Sequence, residues 1–178
     1  CSSRPPRVHT LKGTHMRPLT DAQIRASFLN ASRSERKNLT LPTDLDTRDW
    51  ESLDYLGIRD SKLPKLASVV IELDDEPVGF LLRQTDARPL SRPQCSWCND
   101  VQLPNDVVMF AAKRAGDAGR RGDTVGILVC ENFECSVNVR KLPPSAYLGF
   151  DREAARDRRI EALRANVTEF ARSVRDGA

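Results

Sequence analysis

Residues 94–100 read QCSWCND and residues 127–141 read ILVCENFECSVNVRK. Four of the chain's five cysteines therefore sit in two close pairs, Cys95 with Cys98 and Cys130 with Cys135. Disulfide frameworks, redox dithiols and metal sites all use such pairs, and spacing and context separate them. A disulfide framework belongs to an oxidising compartment and to small stapled folds. This sequence instead carries strand and helix patterns long enough for a packed core. A redox CxxC opens a helix that lowers its thiol pKa. Cys95 and Cys98 lie between a proline-rich connector and the polar run NDVQLPND.

A metal site needs each pair to reach one ion. C-x₂-C on a tight turn aims two sulfurs at one centre, with bonds of about 2.3 Å. C-x₄-C takes one ligand from a strand end and one from the start of a following helix. The hairpin predicted between the pairs supplies the return path. Four thiolates in a tetrahedron suit Zn²⁺, with an iron–sulfur cluster as the other soft candidate. All four positions are then filled, so the metal is expected to be structural. A ligand knuckle, a hairpin, and a pair at a strand end and helix start describe a treble-clef zinc finger.

The rest of the chain fits around that centre. Residues 21–32 follow a capping box, with Thr20 at the cap and Gln23 at the third helical position, and Ile24, Phe28 and Ala31 share a helical face. A short strand is expected over 55–59. The runs 68–73 and 78–83 flank DDEP as a hairpin, and 107–113 and 124–130 form a second, with the glycine-rich AGDAGRRGD as its loop. One or two helical turns follow Cys135. From Asp151 onward Ile160, Leu163, Val167, Phe170 and Val174 recur at three and four residues, which predicts a long helix with one apolar stripe. The fold class is therefore α+β: an antiparallel sheet carrying a treble-clef zinc site, with a short N-terminal and a long C-terminal helix.

Composition limits the function. No apolar run approaches the roughly 18 residues that span a bilayer. The formal charge is +3, and Arg4, Arg7 and Lys12 supply all of it, leaving 0 for the remainder. Four thiolates with one Zn²⁺ add −4 + 2 = −2 there, which weakens a nucleic-acid reading based on overall charge. Both histidines, His9 and His15, fall in the first fifteen residues. No Ser-His-Asp or Cys-His machine can be assembled elsewhere, so no enzyme is expected. Residues 1–15 read as a disordered leader before a start at Met16, and 16–178 as one domain.

Several stretches resemble the actinobacterial FBP-domain proteins: MRPLTDAQIRASFLNAS, WESLDYLGIRD, CSWC, AGRRGDTVGILVCENFECSVNVR and RIEALRANVTEFARSV. That family shares the treble-clef zinc finger of the elongation factor G-binding, FusB-type fusidic acid resistance proteins. The likeness runs from Met16 to about Asp176. It implies a cytoplasmic protein that binds elongation factor G; in the resistance branch, binding releases that factor from ribosomes stalled by fusidic acid. The chain itself is expected to be a monomer. The resemblance also implies Zn²⁺ on Cys95, Cys98, Cys130 and Cys135. Lys113, Arg114, Arg120 and Arg121 gather at one loop, expected beside the metal, that suits an acidic protein face or rRNA phosphate. Trp97 stands either as a partner anchor or as a cover for the metal. Arg140 and Lys141 are placed to offset the anionic centre, and the arginines of the last helix read mostly as a solvated face. The competing reading is a zinc-finger nucleic-acid binder that uses the loop and those arginines.

Overall fold

The computed structural model describes residues 15–87, 91–101 and 104–176. The expected leader lies outside them except for His15. Helix α1, Asp21–Ser27, starts as the sequence predicts: the Thr20 hydroxyl accepts from the Gln23 N–H at 3.3 Å, and the Gln23 side chain accepts from the Thr20 N–H at 2.9 Å. It stops five residues short of the expected end. Phe28 turns extended (φ −70°, ψ 123°), bridges Gly79 and buries its ring. The Leu29 N–H donates to the Gly79 carbonyl at 2.9 Å. Burying an aromatic ring against the sheet outweighs continuing a two-turn helix. A second capping box, Ser32 with Glu35, opens helix α2, Arg33–Asn38.

Five strands follow: β1 (Leu56–Arg59), β2 (Leu66–Leu73), β3 (Glu76–Gln84), β4 (Val107–Lys113) and β5 (Thr124–Cys130). They form one antiparallel sheet in sequence order. The β2–β3 turn is tighter than the DDEP reading, because Leu73 pairs with Glu76 and only Asp74 and Asp75 remain between them. Both have positive φ, 55° and 65°, which matches the twist of a two-residue hairpin and suits aspartate. β3 and β4 pair only at Arg83–Ala111 and Gln84–Phe110 before they splay apart. AGDAGRRGD is not all loop: Gly116–Arg120 forms a short helix, α3.

The sheet has two buried faces. Val69, Ile71, Val78, Phe80 and Leu82 pack towards helix α5, Arg152–Asp176, and the cysteines. Leu56, Ile58, Val70 and Leu81 pack under Met16, Ile24, Phe28 and Trp50. The α5 stripe buries Leu163, Val167, Phe170, Ala171 and Val174, and Asp151 caps the helix by accepting from the Ala154 N–H at 2.9 Å. Gly57 sets the spacing between β1 and the zinc half. A Cβ there would lie 2.4 Å from the Phe133 Cβ. Gly57→Ala is expected to cost about 1–3 kcal/mol by overpacking, read as a lower thermal midpoint; an unchanged midpoint would show that Phe133 yields freely.

Candidate metal centre

The first cysteine pair lies on a tight turn. The Asn99 N–H donates to the Cys95 carbonyl at 2.9 Å, and Asn99 takes φ 56° to reverse the chain. The Ser96 N–H donates to the Leu128 carbonyl at 2.8 Å and so ties the knuckle to β5. Cys130 is the last residue of β5, and Cys135 is the first residue of α4, Cys135–Arg140. Between them the Phe133 N–H donates to the Cys130 carbonyl at 3.0 Å, with Phe133 at φ 60°. Two hairpin strands and two turns thus bring the pairs together.

The four sulfurs lie within 4.8 Å of one another and all four residues are buried. Cys95 and Cys135 sulfurs are 3.6 Å apart, and Cys98 and Cys130 sulfurs 3.7 Å. A tetrahedron with 2.3 Å metal–sulfur bonds has edges of about 3.8 Å, so this cluster fits one Zn²⁺. Four buried, soft anionic donors match a structural site. The Cys95 thiol is held far below its ordinary value by hydrogen bonds from Cys130, Cys135 and Cys98. Cys98 is lowered by Cys130 and then Cys135. Cys135 is pushed up by its bonds to Cys130, Cys95 and Cys98, and by burial. A divalent cation relieves this crowding of charge by taking all four as thiolates.

An aromatic wall surrounds the sulfurs. Trp97 is fully buried and meets Tyr55 edge-on at 4.9 Å and Phe170 at 6.0 Å between centroids. It therefore cannot serve as a partner anchor and instead closes the centre from water. The Asn166 side chain of α5 donates to the Trp97 carbonyl at 2.9 Å. Tyr55 donates its hydroxyl to the Phe133 carbonyl at 3.1 Å, and burial, then the Cys135 charge, pushes its phenol well up. Asn138 points its amide at the Cys130 sulfur, 3.6 Å away. Sequence reasoning missed Tyr55 and Asn138. Only the i+8 spacing of Asn138 from Cys130, which returns one α4 turn to the ligand, hinted at it.

Arg140 does not face the sulfurs. Its guanidinium meets Asp54 at 2.6 Å, and Arg164 of α5 reaches the same carboxylate at 2.8 Å. The Asp54 side chain is fully buried. The Ser136 hydroxyl also accepts from the Asp54 N–H at 3.1 Å. The α5 arginines are thus not merely a solvated face. Arg159 donates to the Asn138 and Lys141 carbonyls at 3.2 and 3.1 Å, and Arg175 pairs with Asp74 at 3.0 Å.

The basic loop lies away from the metal. Cys130 ends β5 and the loop precedes its first residue, a seven-residue strand, or about 20 Å, away. Lys113, Arg120 and Arg121 are exposed there, with Arg120 paired to Asp117. Arg114 donates to the Ser173 carbonyl, and the Ala115 N–H donates to the Val174 carbonyl at 2.8 Å, so the loop is moored to the end of α5. Trp97 does not join this group.

A family model described as FBP C-terminal treble-clef zinc-finger matches residues 23–174. Among solved structures, the fusidic acid resistance protein FusC is similar at 22% identity with a TM-score of 0.43. That match covers 57% of this chain and 44% of the FusC chain, so this chain spans under half of that protein's length. No curated protein matches. Among the described residues, no helix is long and apolar enough to cross a membrane.

Proposed function

Because this chain belongs to the FBP C-terminal treble-clef zinc-finger family, we propose that it is a non-enzymatic, zinc-stabilised binding protein for translation elongation factor G. It acts as a monomer in the cytoplasm, at the ribosome, and promotes release of that factor in the manner of fusidic acid resistance. Residues 16–178 form the working unit. The observation that carries this reading is the family match over residues 23–174, which takes in the sheet, all four cysteines and most of α5. The closed sulfur site supports a scaffold role, since a catalytic zinc keeps a position for water or substrate. Lys113, Arg120 and Arg121 form the partner-facing group, suited to an acidic protein surface, while Arg114 moors their loop to the end of α5. Arg159, Arg164 and Arg175 of α5 are held by internal contacts, which speaks against the helix as a phosphate-binding stripe.

Titration calorimetry with purified elongation factor G tests the reading. A micromolar complex is expected, and charge reversal at Arg120 and Arg121 together should weaken it about tenfold, equivalent to about 1.4 kcal/mol. Absence of a complex, with RNA bound instead and lost steeply as salt rises, would replace it with the nucleic-acid reading.

A further inference from the structure

β5 is the outermost strand of the sheet, and its outer side is open where it leaves the basic loop. The direction of each backbone group follows from the pairing. The Glu131 N–H donates to the Asp106 carbonyl and the Arg114 N–H to the Asp123 carbonyl. In an antiparallel ladder such exchanging pairs alternate with pairs whose groups point outward. Between these ends the outward residues of β5 are therefore Thr124, Gly126, Leu128 and Cys130, whose carbonyl accepts from the Phe133 N–H. The Leu128 carbonyl is already used by the Ser96 N–H at 2.8 Å. The outward groups of Thr124 and Gly126 have no partner among the described residues, and both residues are exposed.

Exposed edges are normally blunted by proline, lysine, a bulge or an inward charge. TVGILVC carries none of these residues, and its register against β4 is unbroken. Gly126 has no internal reason to be glycine: its φ is not positive, and a Cβ would meet the Met109 sulfur only at 3.4 Å. A glycine inside a strand otherwise marks close approach by another backbone. Residues 113–124 also carry four cations, Lys113, Arg114, Arg120 and Arg121, against two acids, Asp117 and Asp123. Lys113 pairs in register with Thr124.

We infer that the partner docks by adding an extended, acidic segment of its own chain to the outer edge of β5, hydrogen-bonded to Thr124 and Gly126 and flanked by Lys113 and Arg121. This rests on the elongation factor reading and gives its mode of contact: main-chain bonds supply affinity, and the basic flank selects the segment. The zinc knuckle limits the added strand at Leu128, so it spans only the loop-proximal half of β5.

The test uses the full chain, loaded with zinc, and purified elongation factor G. Thr124→Pro and Gly126→Pro each remove an outward N–H without touching the β4 ladder. Each is expected to weaken the complex by at least about tenfold, while Thr124→Ala, which keeps the N–H, binds like wild type. Hydrogen exchange on the wild type is the second readout: the Thr124 and Gly126 amides should gain protection in the complex. Proline variants that retain one zinc and bind at full strength, or amides whose exchange does not change in the complex, overturn the edge and leave the elongation factor reading standing. A wild type that does not bind overturns both.

Discussion

Removal of the metal is expected to unfold the zinc half of the protein at room temperature. The four sulfurs come from a turn, a strand end and a helix start, and the ion is the one group that would bind all three at once. Structural Zn²⁺ sites contribute on the order of 10 kcal/mol of apparent folding free energy. A whole domain is stable by only about 5–15 kcal/mol. Losing the ion leaves four sulfurs packed at 3.6–3.7 Å in paired contact, with no cation to hold them as thiolates. The aromatic wall of Trp97, Tyr55, Phe133 and Phe170 then has no fixed floor. The expected result is loss of the near-ultraviolet signal of Trp97 on chelation, recovered when Zn²⁺ is returned. Cys130→Ser should reproduce that loss. Protein stripped of metal that keeps its thermal midpoint would show that the apolar core alone suffices.

Asp54→Ala is expected to be the most damaging substitution outside the cysteines. Its carboxylate is fully buried between Arg140 and Arg164. Removing it strands two guanidiniums that are themselves only 25% and 22% exposed. Breaking one side of a buried ion pair costs about 3–5 kcal/mol, which in a domain this size lowers the midpoint by roughly 6–20 °C. The effect reaches beyond local contact, since Asp54 precedes β1, Arg140 ends α4 and Arg164 lies mid-way along α5. Calorimetry gives the answer directly, and a shift under about 2 °C would show that water solvates the arginines at little cost. Asp54→Asn, which keeps hydrogen-bonding oxygen but not charge, should fall between.

What could be read from the sequence was local. The metal ligands announce themselves by spacing, because two cysteines on one turn must face one point. The capping box of α1, the two hairpins and the α5 stripe are likewise patterns within one element. What escaped depends on partners far along the chain. Asp54 meets Arg140 and Arg164 across 86 and 110 residues, and nothing near any of them signals it. Trp97 looks exposed in a polar knuckle until Tyr55 and Phe170 arrive to cover it. Helix α1 is cut short because Phe28 has a sheet to join. The basic loop was misplaced because sequence neighbours of β5 lie at opposite ends of an extended strand. The α3 turn inside it needs Gly119, where a Cβ would fall 1.8 Å from the Arg114 carbonyl oxygen, and glycine alone does not reveal which close approach it serves.

Helix α5 lies after all four cysteines in the chain, yet it packs on the cysteine knuckle, with Asn166 on the Trp97 carbonyl and Phe170 against the Trp97 ring. During synthesis the sulfurs therefore emerge first, and an ion can be captured while their outer side is still open. Once the helix arrives, Asn166 and Phe170 pack on the Trp97 knuckle, and release of the ion is expected to need local opening of that packing. The expected consequence is that bound Zn²⁺ leaves the folded protein more slowly than it enters the newly made chain, which exchange against labelled zinc would measure.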